Sequence, residues 1–388
     1  MRESPARREQ THSVDHTSLE VDRHVTRHHP TVDDGGGHSQ SLQLTGAHVA
    51  EGSHPPLAPV PSGRARCGRS APGAPRGEGV DDGRDGRVGE AIDDDTVDGP
   101  AGDGPDVRTD HLTGATTVVV GSRQGRPNLP ADGCPFCVGG LEAPEPYEVR
   151  AFPNRWPALG DGRCEVVLYT PDHHQTFWGL GVDGARRVVE LWAERTRVLG
   201  GRDDVDYVLV FENRGPEVGA TIAHPHGQIY AYDRVPPTPL RALLDGVLRP
   251  DAVAEDLVVG RAGRWVAWVP EAATWPYEVR IAPVDPVGAL SDPGCDLDGF
   301  ARILVDVLAR LDQRFDSPMP YMLWIHQRPT DGGEWPDARV CVFVTPFLRA
   351  PGTPRFVAAA ELGGGIFFNP VVPEAAAAEL RELPGART

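Results

Sequence analysis

In the segment FENRGPEVGATIAHPHGQIYAY (211–232), His224 and His226 flank Pro225, and Gly227-Gln228 follows at once. Imidazole suits nucleophilic attack, proton transfer and metal ligation near neutral pH. Residues i and i+2 of an extended segment face the same side, so both histidines can line one surface. Pro225 fixes its own φ and favours an extended His224, which holds that arrangement rigid. The preceding loop, Arg214-Gly215-Pro216 to Gly219-Ala220-Thr221, has glycine-rich backbone that can approach a diphosphate and donate N–H groups to it. Spacing alone leaves plainer roles open: histidine is tolerated in a turn before a strand, and the loop has the makeup of an ordinary hairpin.

Cys134-Pro-Phe-Cys137 is a C-x-x-C pair, which serves either as half of a zinc tetrahedron or as a redox couple. The redox reading needs the pair to open a helix after a strand, whereas this one sits in a Pro/Gly-rich loop. As half of a metal site it needs two further ligands. The histidines of TPDHHQT (170–176) and of the HPH triplet are the natural candidates.

The rest of the chain must position these groups, and composition limits how. Residues 1–135 contain no Phe, Trp or Tyr, and the stretch to about residue 105 is rich in Gly, Pro, Asp, Arg and His. Such a segment cannot bury enough apolar surface to offset its ordering entropy, so 1–105 is read as a disordered, low-complexity tail. The folded part is then 106–388. No apolar run is long enough for a membrane span, and no secretory h-region is present. The six cysteines form no disulfide framework, which fits a cytoplasmic protein. A net charge of −18 argues against a general nucleic-acid surface. The chain also has no lysine, so all 38 basic residues are arginine. This excludes a P-loop lysine, a Schiff-base lysine and a pyridoxal phosphate anchor.

Two copies of one unit are legible in the folded part. The first has strand-like runs at 165–171 and 206–215, a helical pattern over 182–199 between them, and a last strand beginning near Gly227. The second has WPYEVRIAP (275–283), a helix over 297–315, PYMLWIHQRP (320–329) and ARVCVFVTPF (338–347). Phe300, Ile303, Leu304, Val307, Leu308 and Leu311 mark that helix by their 3.6-residue spacing. The offset is about 113 residues, matching Tyr207 with Tyr321 and Pro171 with Pro283. Counted from the tyrosines, His226 corresponds to Val340, which gives an active half (106–240) and a supporting half (241–388). The expected fold is α+β, with antiparallel sheets and helices packed on one face.

FEN-x-G followed by HPHGQ resembles the active-site signature of the galactose-1-phosphate uridylyltransferase family, a branch of the histidine-triad superfamily. VVVGSRQGRP (118–127), CPFC, FPNRW (152–156), TPDHHQT, AATWPYE (272–278) and TPRFVAAAEL (353–362) are similar to further family segments. The resemblance covers nearly all of 107–385. It implies two tandem histidine-triad-like repeats and exchange of UMP between UDP-glucose and galactose 1-phosphate. In that scheme His226 attacks the α-phosphorus to give a uridylyl-histidine, in ping-pong fashion. Gln228 stands where histidine-triad hydrolases carry a third histidine. Glutamine donates hydrogen bonds to phosphoryl oxygens but supplies no proton, which favours transfer to a phosphate over hydrolysis.

Carried over residue by residue, the resemblance implies structural zinc on Cys134, Cys137, His173 and His224. It implies phosphate binding by Arg123 and Arg126, a nucleotide contact at Asn154, and diphosphate contacts at Asn213 and Thr221. Arg355 and Glu361 align with residues that contact the hexose across a homodimer interface. Some family members have a second, iron-type site of one glutamate and three histidines. Here only His326 of that set is seen, with Val340 and Val342 placed at the other histidine positions, so no iron is expected. Thr221 replaces a serine and Ala360 a tyrosine of the family pattern. The competing readings are a related adenylyltransferase or dinucleoside polyphosphate phosphorylase, and a noncatalytic zinc-binding scaffold.

Overall fold

A computed structural model describes residues 106–125, 133–160, 162–245 and 248–386. The expected tail over 1–105, and Arg126, lie outside the described residues. The chain opens with a hairpin, β1 (Asp106–Thr109) and β2 (Thr116–Val119). Then come β3 (Arg150–Pro153), β4 (Cys164–Leu168), α1 (Gly181–Gly200), β5 (Tyr207–Arg214) and β6 (His226–Tyr232). A helix the sequence reading missed, α2 (Pro237–Asp245), leads to β7 (Val258–Ala262) and β8 (Trp265–Trp268). The order of the first half then recurs: β9 (Val279–Pro283), α3 (Leu297–Gln313), β10 (Tyr321–His326) and β11 (Cys341–Pro346). Short strands β12 (Leu348–Ala350) and β13 (Thr353–Pro354) and helices α4 (Ala359–Gly364) and α5 (Pro373–Glu382) follow.

Nine strands form one antiparallel sheet in the order β3-β4-β6-β5-β10-β11-β9-β8-β7. The two copies are therefore joined along β5 and β10 into a single sheet. Val167, Val208, Val210, Ile229, Val279, Ile281, Leu323, Ile325, Val342 and Val344 belong to one core with residues of α1 and α3. On α3, Phe300, Ile303, Leu304, Val307, Leu308 and Leu311 are all fully buried. Burial stabilises each by about 1.5–3 kcal/mol, whereas helix propensities differ by a few tenths to about 0.7 kcal/mol per residue. Packing, far more than propensity, makes this helix. Its start is set locally, because the Asp296 carboxylate accepts the Gly299 N–H at 2.9 Å.

The other face of the sheet carries a row in register: Gln228, Phe211, Trp324, Phe343 and Arg280. This register corrects the match drawn from the sequence. Cross-strand partners share a face, so Tyr207, paired with Tyr232, lies on the Phe211 side. Tyr321, paired with Arg214, lies on the Leu323 and Ile325 side, toward the helices. The two tyrosines are not equivalent. Matching residues of the same parity instead equates Phe211 with Trp324, both on the face away from the helices. Each is paired one strand further on, with Gln228 and Phe343 respectively. His226 therefore corresponds to Cys341 and not to Val340.

The same register sets the surroundings of His326. Val340 and Val342 are completely buried, and Val342 pairs with Ile325 on the helix side. The residues beside His326 are Cys341, its register partner, and Phe343, whose ring is 4.7 Å away. Burial, and then the charge of Arg280, push His326 down to about 4, so it is a neutral imidazole at pH 7.

Candidate active site

The loop bearing Cys134 and Cys137 folds over the β4 end of the exposed sheet face, where Phe136 packs with Val166 and Leu168. The turn is tight: a β-carbon on Gly140 would lie 2.6–2.8 Å from the carbonyl oxygens of Cys134, Pro135 and Cys137. This loop meets the segment after β4 and the residues that lead into β6. Cys134 Sγ is 3.7 Å from His224 Nδ1, and Cys137 Sγ is 3.6 Å from both His224 Nδ1 and His173 Nδ1. All four ligand atoms lie within 4.8 Å of one another. A tetrahedral ion with bonds of about 2.0–2.3 Å needs ligand atoms about 3.3–3.8 Å apart, so this donor set fits a metal ion.

The surroundings set the ligand states. His224 Nε2–H donates to the Thr170 carbonyl at 2.7 Å, which turns the Nδ1 lone pair toward the sulfurs. Burial lowers the His224 pKa and keeps the ring neutral, as a ligand must be. The Tyr147 hydroxyl stands 3.1 Å from the same Nε2 and reaches the carbonyls of Phe136 and Thr170 at 2.7 and 2.9 Å. It ties both loops together.

Two residues past His224, the His226 Nδ1–H donates to the His224 carbonyl at 2.7 Å. This bond fixes the tautomer with the lone pair on Nε2, the state in which an imidazole can act as a nucleophile. Phe136 of the cysteine loop packs edge-on against the His226 ring, with centroids 5.1 Å apart. Gln228 lies on the same face as His226, and its Oε1 accepts from Asn154 Nδ2 at 3.3 Å. Asn154 Oδ1 is itself held by the Trp156 N–H at 2.9 Å. Because Oε1 is engaged by Asn154, the amide presents its NH₂ for hydrogen-bond donation.

Beneath this strand lies a polar group that sequence reasoning did not single out. The Glu212 carboxylate is buried on the helix side of β5 and accepts from the Tyr321 hydroxyl at 2.9 Å and from Tyr169 at 3.2 Å. A β-carbon on Gly227 would overlap the Tyr169 hydroxyl, so only glycine fits between His226 and Gln228. Period-2 spacing was the available signal: Val208, Val210 and Glu212 share the inward face. Phe136 and Tyr147 were missed because their partners come from distant segments.

Asn213 follows Glu212 on the exposed face, opposite Met322, and Thr221 is half-buried in the loop before His224. Burial pushes the Cys164 thiol at the start of β4 up, and the charge of Arg123 is among the smaller influences that oppose it. Arg355 and Glu361 are brought to each other. Both are almost completely buried and form an ion pair that also engages the carbonyls of Phe356 and Thr274. The Arg355 guanidinium lies 4.7 Å from the Trp275 ring centroid. Glu361 accepts from the N–H groups of Ala358 and Phe368, which with Arg355 hold its carboxyl down to about 2. Within this chain the pair ties down the C-terminal segment, with both charges taken up internally.

His226, the Gln228 amide and the Cys2His2 cluster thus lie together at one end of a single antiparallel sheet. Residues 154–236 match the family model "Galactose-1-phosphate uridyl transferase, N-terminal domain". A galactose-1-phosphate uridylyltransferase of Thermotoga maritima is 35% identical over 314 residues, covering 71% of this chain and 98% of that protein. A solved structure titled "Structure of uridylyltransferase" is 28% identical with a TM-score of 0.65, covering 71% of this chain and 97% of the other. An Arabidopsis thaliana protein named ADP-glucose phosphorylase is 26% identical, covering 72% of this chain and 93% of that protein. This chain belongs to the galactose-1-phosphate uridylyltransferase family.

Proposed function

We propose that this protein exchanges UMP between UDP-glucose and galactose 1-phosphate through a covalent intermediate on His226. His226 Nε2 attacks the α-phosphorus, the bond to the bridging oxygen breaks, and glucose 1-phosphate leaves with the electron pair. An oxygen of galactose 1-phosphate then attacks the same phosphorus, the P–N bond breaks, and UDP-galactose forms. The incoming phosphate is already an anion, so this second step needs no general base, whereas water would. The observation that carries the reading is the His226–His224 carbonyl bond beside a Gln228 amide fastened by Asn154. Arg123, Arg126, Asn213 and Thr221 complete the phosphate and nucleotide contacts, arginine serving where other enzymes use lysine.

Cys134, Cys137, His173 and His224 would hold zinc. With four protein ligands the ion has no position left for substrate, so it supplies structure and not Lewis acidity. Residues 106–240 form the active half and 241–388 the supporting half of a cytoplasmic enzyme without nucleic-acid or membrane partners. Among the described residues, no helix is long and apolar enough to cross a membrane.

The segment around the Arg355–Glu361 pair exposes Phe356 (73%), Leu362 (74%), Ile366 and Phe368. Such exposed apolar side chains along one segment support an interaction surface that a homodimer would cover. Changing Phe356 and Phe368 together to serine should give monomers by light scattering and raise KM for the hexose phosphate. A variant that stays dimeric with unchanged KM would remove this part of the proposal.

The direct test is intact-mass spectrometry after incubation with UDP-glucose, where an adduct of about +306 Da on His226 is expected. Parallel incubations with ADP-glucose and diadenosine tetraphosphate address the adenylyl reading, which the ADP-glucose phosphorylase relative motivates. An adduct with either in place of UDP-glucose would favour that reading. No adduct with any donor would favour a scaffold.

A further inference from the structure

We infer that Glu212 is a positioning residue for the exchange reaction: it anchors the Tyr169 phenol, which fixes the backbone that carries His226. The inference rests on His226 being the nucleophile and goes beyond it, because Glu212 acts from the opposite face of the sheet. Tyr169 brackets the nucleophile on both sides. Its backbone N–H donates to the Pro225 carbonyl at 3.3 Å, and its hydroxyl fills the space where a side chain at 227 would be. The hydroxyl donates in turn to Glu212. Rings of Phe177 and Trp192 pack around the Tyr169 ring at 5.4 and 5.7 Å, so the phenol is caged on its apolar faces and anchored at its polar end. Val208, Val210 and Ile229 surround this side of the sheet. Burying a carboxyl among them is unfavourable, so packing alone does not call for an acid here.

The groups facing Glu212 are Tyr169 after β4, Tyr321 on β10, Arg214 on its own strand and Asp312 on α3. Burial raises its carboxyl to about 7, although the hydroxyls of Tyr321 and Tyr169 and the charge of Arg214 pull the other way. The folded value lies above the ordinary 4.5, so the fold favours the protonated acid. That contribution to stability is complete below pH 4.5 and is lost as pH rises through about 7. Only the ionised form accepts from both hydroxyls without a proton of its own to place. The exchange rate should therefore rise with pH across the window in which this contribution to stability falls.

Glu212→Gln, Tyr169→Phe and Tyr321→Phe in the full chain test this through kcat, KM and thermal midpoint over roughly pH 5 to 8. Glu212→Gln and Tyr169→Phe should lower kcat about 10- to 100-fold with KM within about threefold, the effect of misplacing a reacting group by a fraction of an ångström. Glu212→Gln should also erase the pH limb near 7. Tyr321→Phe removes a donor to Glu212 that has no role at Gly227. It should keep the high-pH plateau of kcat within about threefold and move the limb to higher pH. If Glu212→Gln does not fold, Tyr169→Phe, which loses one hydroxyl, decides. No UDP-glucose adduct in the unmodified protein would defeat the nucleophile reading. A normal adduct, with every variant matching its kcat and pH profile and losing only thermal stability, would overturn the positioning role alone.

Discussion

Exchange should disappear in His226→Gly, with kcat reduced at least about 10⁴-fold, because the two displacements collapse into one that has no nucleophile. The fold should survive. His226 is half-buried, its Nδ1–H bond to His224 is local, and glycine is already tolerated next to it in β6. A uridylyl-imidazole compound supplied to the variant should restore the second half-reaction, since glycine leaves room for the missing ring. The check is a steady-state rate with UDP-glucose and galactose 1-phosphate, then the same assay with the preformed compound. Wild-type turnover in the variant would mean that another group attacks phosphorus.

The second large effect is on stability. Cys134→Ser or His173→Ala should release the metal and lower the thermal midpoint on the order of 10 °C, the scale expected when a structural site worth several kcal/mol is lost. Activity should fall with it, for a reason visible in the packing: Phe136, between the two cysteines, leans on the His226 ring. His224 links the effects further, as its side chain joins the cluster while its carbonyl holds His226. Metal analysis of the purified protein should give close to one zinc per chain and no stoichiometric iron. A zinc-free protein with full stability and full activity would end the structural-zinc reading. Stoichiometric iron would mean that His326 has partners beyond Cys341 and Phe343.

Much of the site could be read from residue types, because its chemistry is carried by short segments. HPHGQ and CPFC each place their groups by local geometry, and the cluster of Cys134, Cys137, His173 and His224 assembles as the resemblance implied. Element types were legible for the same reason, with β5 and α3 repeating at 2 and 3.6 residues. Register was not. Tyr207 and Tyr321 match by eye, yet they face opposite sides of the sheet, and a slip of one residue moved His226's counterpart from Cys341 to Val340. Sequence similarity cannot see parity, whereas a strand pairing must respect it. Glu212 was hidden differently: its partners, Tyr169 and Tyr321, lie 43 and 109 residues away along the chain. Arg355 and Glu361 carry a related lesson. The resemblance aligns them with hexose contacts, and the folded segment adds that they pair with each other.

The seam between β5 and β10 also bears on how the chain is made. The first half is complete once β6 has left the ribosome, but β5 then ends the sheet with one row of backbone groups unpaired. Its partner, Tyr321–His326, emerges roughly a hundred residues later, on the order of ten seconds at ordinary elongation rates. For that interval the nascent chain presents an open strand edge beside Phe211, a surface open to the β5 edge of another nascent chain. Crowded polysomes would make swapped or aggregated products, and a holdase acting between residues 214 and 321 would suppress them. Expressed alone, the first half would keep that edge permanently, so its insolubility would reflect a missing neighbour strand and not a failure of its own core.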